Sequence, residues 1–174
     1  YMFTFISNFK KEEILNLNKN IGIIFRNYEQ KYNKDKILEL KKLCKLHNKK
    51  LYLANDIKLS INLSLDGAYI PSFNKNLNFK KYSKKKNFLL LGSAHNYNEI
   101  RIKEKQGVNL IFLSPLFKTK NYKKNLGIIK FNILSQITNK KIIALGGINK
   151  KNINKLKITN AHGYSGISYF SNRL

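Results

Sequence analysis

The sequence predicts an α/β fold, a closed (β/α)8 TIM barrel, compact and with trimmed outer helices. Three observations point there. Short apolar runs such as Ile142-Ile143-Ala144-Leu145 show no alternation, which is how a strand buried on both faces reads, and such strands belong to parallel sheets. Helical patterns separate the runs, and parallel strands need crossovers of that kind. No hairpin signal joins any two of them. Eight strand–helix units fit the chain and close into a barrel, with an open doubly wound sheet as the alternative. At 174 residues the chain is shorter than the about 200 at which such barrels usually begin. The third, fourth and eighth helices are where the shortening falls, and residues 1–174 read as one domain.

The elements follow in order. Met2–Ile6 is a short apolar strand, and Ser7-Asn8 offers a cap for a helix over 10–18. Ile21–Phe25 is a second apolar strand. Residues 34–47 carry Ile37, Leu38, Leu40, Leu43, Cys44 and His47 at helical spacing. A strand over 50–54 ends in Asn55-Asp56, and a short helical stretch over 57–63 leads to Gly67–Ile70, which Pro71 ends. After a lysine-rich connection comes a strand over 88–91 ending in Gly92-Ser93, then a helix over 96–106 with Gly107 at its C′ position. Leu110–Leu113 stops at Ser114-Pro115. The longest loop, 116–125, precedes a helix over 127–138. The seventh strand ends in Gly146-Gly147, with Asn149 placed to cap a helix reaching Leu156, and 164–167 is the eighth strand.

Charge is the strongest compositional signal, at +25 with 34 basic residues. Phosphate neutralisation makes a nucleic acid the first partner to consider. Only Arg26, Arg101 and Arg173 are arginines, however, and the lysines are spread over the whole chain. Base reading and bidentate phosphate gripping favour arginine, so the charge reads as a solvated surface and nucleic acid is disfavoured as a partner. The single cysteine, Cys44, has no internal disulfide partner. Neither a transmembrane span nor a signal peptide is visible, so no membrane partner is expected and a soluble cytoplasmic protein is the default.

Barrel active sites lie at the carboxyl ends of the strands. Those positions hold Arg26 and Asn27; Asn55 and Asp56; Ser72; Ser93 and His95; Ser114, Thr119 and Lys120; Gly146 and Gly147; Gly166 and Ser168. The set is small, polar and cationic. Paired glycines after the seventh strand and Gly166-Ile167-Ser168 after the eighth occupy the usual phosphate corner, where backbone N–H groups can meet an anion. A phosphorylated small molecule is therefore the ligand class. Asp56 is the one carboxylate that immediately follows a strand, Glu29 is the nearest second candidate, and Asp66 begins the fourth strand at the opposite rim. His95 reads as a hydrogen-bonded residue at the start of its helix.

Several stretches resemble one family. G-S-A-H-N at 92–96, G-V-N-L-I-F-L-S-P-L-F-K-T-K at 107–120, L-G at 126–127 and I-I-A-L-G-G-I-N at 142–149 are similar to the thiamine phosphate synthase/TenI family, as are N-D at 55–56 and L-D-G-A-Y-I-P-S at 65–72. The resemblance implies a (β/α)8 barrel. It also implies a synthase joining hydroxymethylpyrimidine diphosphate to thiazole phosphate with release of diphosphate, using Mg²⁺. The TenI branch implies an isomerase of thiazole phosphate, or a protein that binds it without turnover. By position, Arg26, Ser93 and Lys120 would be the catalytic set, with Ser93 and Lys120 approaching the diphosphate. Asn55, Ser114, Thr119, Gly146, Gly147, Ile167 and Ser168 would bind substrate, and Asp56 the metal.

Departures from the family pattern sharpen the expectation. The synthases flank the strand-two arginine with Gln and Lys, where this chain has Ile24 and Tyr28, and their second metal Asp falls at Asn74. The isomerase's catalytic His falls at Pro115, the residue the synthases have there. With one carboxylate left, Mg²⁺ binding is expected to be weak or substrate-dependent, and no metal is expected on the free protein.

Overall fold

A computed structural model describes residues 1–18, 20–119 and 124–166. The strands are β1 (Met2–Ile6), β2 (Ile21–Phe25), β3 (Leu51–Ala54), β4 (Gly67–Ile70), β5 (Leu89–Ala94), β6 (Leu110–Leu113), β7 (Lys141–Leu145) and β8 (Gly163–Ser165). Each pairs in parallel with the next, and β8 returns to β1 through Met2 opposite Tyr164 and Phe3 opposite Ser165. The barrel is closed. Between the strands lie α1 (Lys11–Leu15), α2 (Lys34–Leu46), α3 (Ile57–Asn62), α4 (Tyr97–Lys105) and α5 (Gly127–Gln136), with single stretches of 3-10 helix at Leu77–Tyr82 and Ile153–Ile158. The helices after β1 and β3 are short and those after β4 and β7 are reduced to 3-10 turns, which is how the fold fits this length; the expected eighth helix lies outside the described residues.

Apolar side chains fill the lumen and the space beneath the helices. In the lumen, Phe3, Phe5, Tyr52, Tyr69 and Phe112 pack edge to face, with ring centroids 5.0 Å apart for Phe3–Phe112 and 5.2 Å for Phe5–Tyr69. Such pairs add about 0.5–1.5 kcal/mol beyond the area they bury. Outside the strands, Ile37, Leu40, Leu43 and Cys44 of α2 cover Ile23, Leu51 and Leu53. Burial pushes the Cys44 thiol up to about 12, so it stays protonated as a small core residue. On the far side Phe88, Ile100, Val108, Ile111 and Phe131 form the matching layer. No helix among the described residues is long and apolar enough to cross a membrane.

Four local expectations are corrected. The first helix begins after Lys10 with no side-chain cap, because it starts three residues beyond Asn8. β5 runs on to Ala94, so Gly92 and Ser93 lie within it, opposite Ile111 and Phe112. Asn149 caps no α-helix. Its amide donates to Asn152 Oδ1 at 2.8 Å and Asn152 Nδ2 returns to the Gly147 carbonyl at 2.8 Å, so asparagine side chains close a turn that leads into the 3-10 stretch. β8 starts at Gly163 and ends at Ser165, earlier than the expected 164–167, of which Ile167 lies outside the described residues. Other signals match: Asn96 caps α4 by accepting from the Glu99 amide, and Gly107 follows it with φ +76°. Asp66 sits at the amino rim, accepting from the Leu51 amide and pairing with Lys50.

Candidate functional site

At the carboxyl end of the barrel the lumen aromatics become a floor. Tyr69, at the top of β4, and Leu145, at the end of β7, border a cavity of about 370 Å³. Arg26 leaves the end of β2 and lays its guanidinium over the Phe5 ring, 4.7 Å from the centroid. The ring face attracts the cation and holds it toward the cavity. Ser93 and Ser114 are buried at the ends of β5 and β6, and Thr119 comes from the β6 loop. Arg26, Ser93, Ser114, Thr119 and Gly146 are thus brought to one space. Lys120, Ile167 and Ser168 lie outside the described residues.

The rim opposite the glycines is aromatic. Tyr28 and Phe73 meet edge to face across two loops, centroids 5.5 Å apart, and both line the cavity. Burial is the main cause raising the Tyr28 phenol pKa, so this rim is neutral where the family pattern has a lysine. His95 borders the cavity too, with Nδ1 and its backbone amide each 2.8 Å from Glu99 Oε2. It is the hydrogen-bonded residue just before α4 that its position suggests.

Gly146 and Gly147 serve a purpose that their sequence did not disclose. Their φ angles are +95° and +70°, a region L side chains rarely adopt. The β6 loop packs directly on them, with the Leu116 amide donating to the Leu145 carbonyl at 2.8 Å and the Phe117 amide to the Gly146 carbonyl at 3.1 Å. A Cβ on Gly147 would stand 2.5 Å from the Lys118 oxygen and 2.7 Å from the Phe117 carbonyl carbon. Gly146 borders the cavity, whereas the space beside Gly147 is filled by loop backbone. The missing side chain at Gly147 thus makes room for the β6 loop.

Asn55 and Asp56 lie off the cavity. Asn55 is exposed with φ +61°, and its Oδ1 accepts from Asn74 Nδ2 at 2.7 Å. Asp56 Oδ1 caps α3, accepting from the Leu59 amide at 2.9 Å. Among the described residues no three His, Cys, Asp or Glu side chains cluster. One carboxylate with an oxygen already bonded, beside an amide pair, leaves too few protein oxygens to hold Mg²⁺ without the phosphates of a substrate.

The residue that sequence reasoning missed is Lys103 in α4. It is fully buried, and its Nζ donates to the Pro71 carbonyl at 2.7 Å, the Asn74 carbonyl at 2.9 Å and Gln106 Oε1 at 2.9 Å. Desolvation lowers its pKa to about 8, opposed by nearby Glu99. The signal was its spacing, since Lys103 follows Ile100 by three positions and so shares the helix face turned to the core. Its folded pKa lies below the unfolded one, so the burial cost is full below about pH 8 and fades as pH rises toward 10.5. Relative to a Lys103→Met protein, the wild type should gain about 3 kcal/mol of unfolding free energy across that window. Paired urea melts at several pH values measure this.

A family model described as thiamine monophosphate synthase matches residues 14–170. The chain belongs to that family. Among thiamine-phosphate synthases, that of Prochlorococcus marinus is 33% identical over 122 residues, 68% of this chain and 35% of the relative. That of Prochlorococcus marinus subsp. pastoris is 31% identical over 166 residues, 88% of this chain and 44% of the relative. The chain thus spans less than half the length of either of these relatives. In structure, a thiamine phosphate pyrophosphorylase from Pyrococcus furiosus superposes with a TM-score of 0.75 at 15% identity, covering 96% of this chain and 85% of that one. At that identity the likeness shows the fold alone. The matched span of the thiamine monophosphate synthase family includes every strand from β2 to β8 and all the cavity-lining residues named above.

Proposed function

We propose that this chain is a thiamine phosphate synthase, a transferase joining hydroxymethylpyrimidine diphosphate to thiazole phosphate. The observation that carries the reading is the convergence of Arg26, Ser93, Ser114, Thr119 and Gly146 on one cavity at the strand ends, in a member of this family. In the reaction the thiazole ring nitrogen gives its lone pair to the pyrimidine's methylene carbon. A C–N bond forms, the C–O bond to diphosphate breaks, and diphosphate leaves with the electron pair. The protein's task is to hold two anionic substrates together and stabilise the charge that grows on the leaving oxygen.

Arg26, preset on Phe5, is assigned to the diphosphate, and its planar fork suits two phosphate oxygens. Ser93 hydroxyl donation and Lys120 are assigned to the same group. Ser114 and Thr119 orient the substrates. The thiazole phosphate is assigned to the backbone of Gly146 and of Ile167-Ser168. The aromatic and aliphatic floor of Tyr69 and Leu145 suits flat heterocycles and keeps water from the reacting carbon. Pro115 lines the cavity where the isomerase branch has its catalytic histidine. A proline carries no proton-transferring group, which favours synthase over isomerase.

No step of this reading runs through a protein-held metal. Mg²⁺ is assigned to the incoming diphosphate as its counter-ion, consistent with weak or substrate-dependent binding. Both substrates are incubated with the protein and Mg²⁺, and thiamine phosphate and diphosphate are quantified. Equal amounts of each are expected; binding of thiazole phosphate with neither product would reject the synthase reading.

A further inference from the structure

Lys103 is a buried cation that the reaction above does not use. Burying an ammonium group is costly unless its donors are met, and an apolar side chain would fill the same core space at less cost. Its three donors find three acceptors, two of them backbone carbonyls of one loop, those of Pro71 and Asn74. Gln106, also fully buried, adds donation from Nε2 to the Asn74 carbonyl at 2.9 Å and the Asn76 carbonyl at 3.0 Å. Asn74 accepts from both residues. Gly92 in β5 leaves room for the lysine stem, since a Cβ there would stand 2.9 Å from Lys103 Cδ.

The same loop carries Ser72 and Phe73, which line the cavity. Phe73 packs on Tyr28, two residues beyond Arg26. The Asn74 side chain reaches Asn55 at the end of β3. A loop tied from beneath at residues 71, 74 and 76 therefore presents one wall of the site from above.

We infer that Lys103 is a positioning residue, its ammonium group holding the loop of residues 71–76 so that Ser72 and Phe73 wall the cavity on the Arg26 side. The kinetic arm of its test rests on the synthase reading, and the exchange arm does not.

Hydrogen exchange and steady-state kinetics of the wild type, Lys103→Met and Gln106→Met, all at pH 7, test it. In Lys103→Met the amides of 72–76 should exchange about 10-fold faster or more, while those of β4 and β6 keep their rates. KM for the pyrimidine diphosphate should rise about 10-fold with kcat within about twofold. Gln106→Met should show the same pattern more weakly, and it carries both arms if Lys103→Met does not fold. Unchanged loop exchange overturns the inference. So does loosening spread evenly over the strands, or a loosened loop with unchanged KM. If the wild type turns over neither substrate, the synthase reading fails, and the exchange arm alone decides whether Lys103 holds the loop.

Discussion

An Arg26→Ala protein is expected to keep its barrel and lose kcat/KM by on the order of 10²–10³, the usual cost of removing one preset donor from a developing anion. The fold is spared because Arg26 lies at the mouth, and its contact with Phe5 accounts for about 0.5–1 kcal/mol at most. Arg26→Lys should recover only part of the rate, since an ammonium group lacks the planar fork. The loss should fall mainly on kcat if the guanidinium acts on the leaving charge. Steady-state kinetics with a urea melt of each variant separate these effects. A kcat/KM within twofold of wild type would remove Arg26 from the reaction.

Gly147→Val should act on structure first. Valine at φ +70° is strained, and its Cβ would meet the backbone of Phe117 and Lys118, atoms that cannot turn aside as a side chain tip can. A cost of about 3 kcal/mol or more is expected from the two effects together. The β6 loop would be displaced, carrying Thr119 with it. Urea midpoints and thiazole phosphate binding should therefore fall together. A stable variant that merely loses ligand would instead mean that the space beside this glycine admits the ligand and not the loop.

These two residues show what the sequence made legible. The strands could be read because parallel strands buried on both faces are apolar throughout, and the repeat of strand and helix leaves few closed arrangements. The same uniformity hid which side of a strand faces the lumen, so Tyr69 and Leu145 could not be told from outward residues. Ser93 looked like a strand end because it is polar, yet at the mouth a polar residue continues the ladder opposite Phe112. Gly146-Gly147 announced a special backbone, but whether a ligand or another loop fills the space beside it depends on residues 115–118, about 30 positions earlier. Asp56 was visible as a carboxylate after a strand; its use as a helix cap was masked, since a cap and a ligand are the same residue type. Lys103 was one lysine among many until the fold placed it inside.

The role of Asp56 matters here because asparagine caps a helix as well as aspartate does. Asp56→Asn therefore removes the charge and keeps α3, with no confounding loss of structure.

Product stoichiometry with both substrates present is the most direct test of the central claim. The account predicts one thiamine phosphate and one diphosphate per turnover in the wild type, with both falling together in Arg26→Ala. Thiazole phosphate bound at the cavity with no product formed, in protein whose melting behaviour shows an intact barrel, would contradict it.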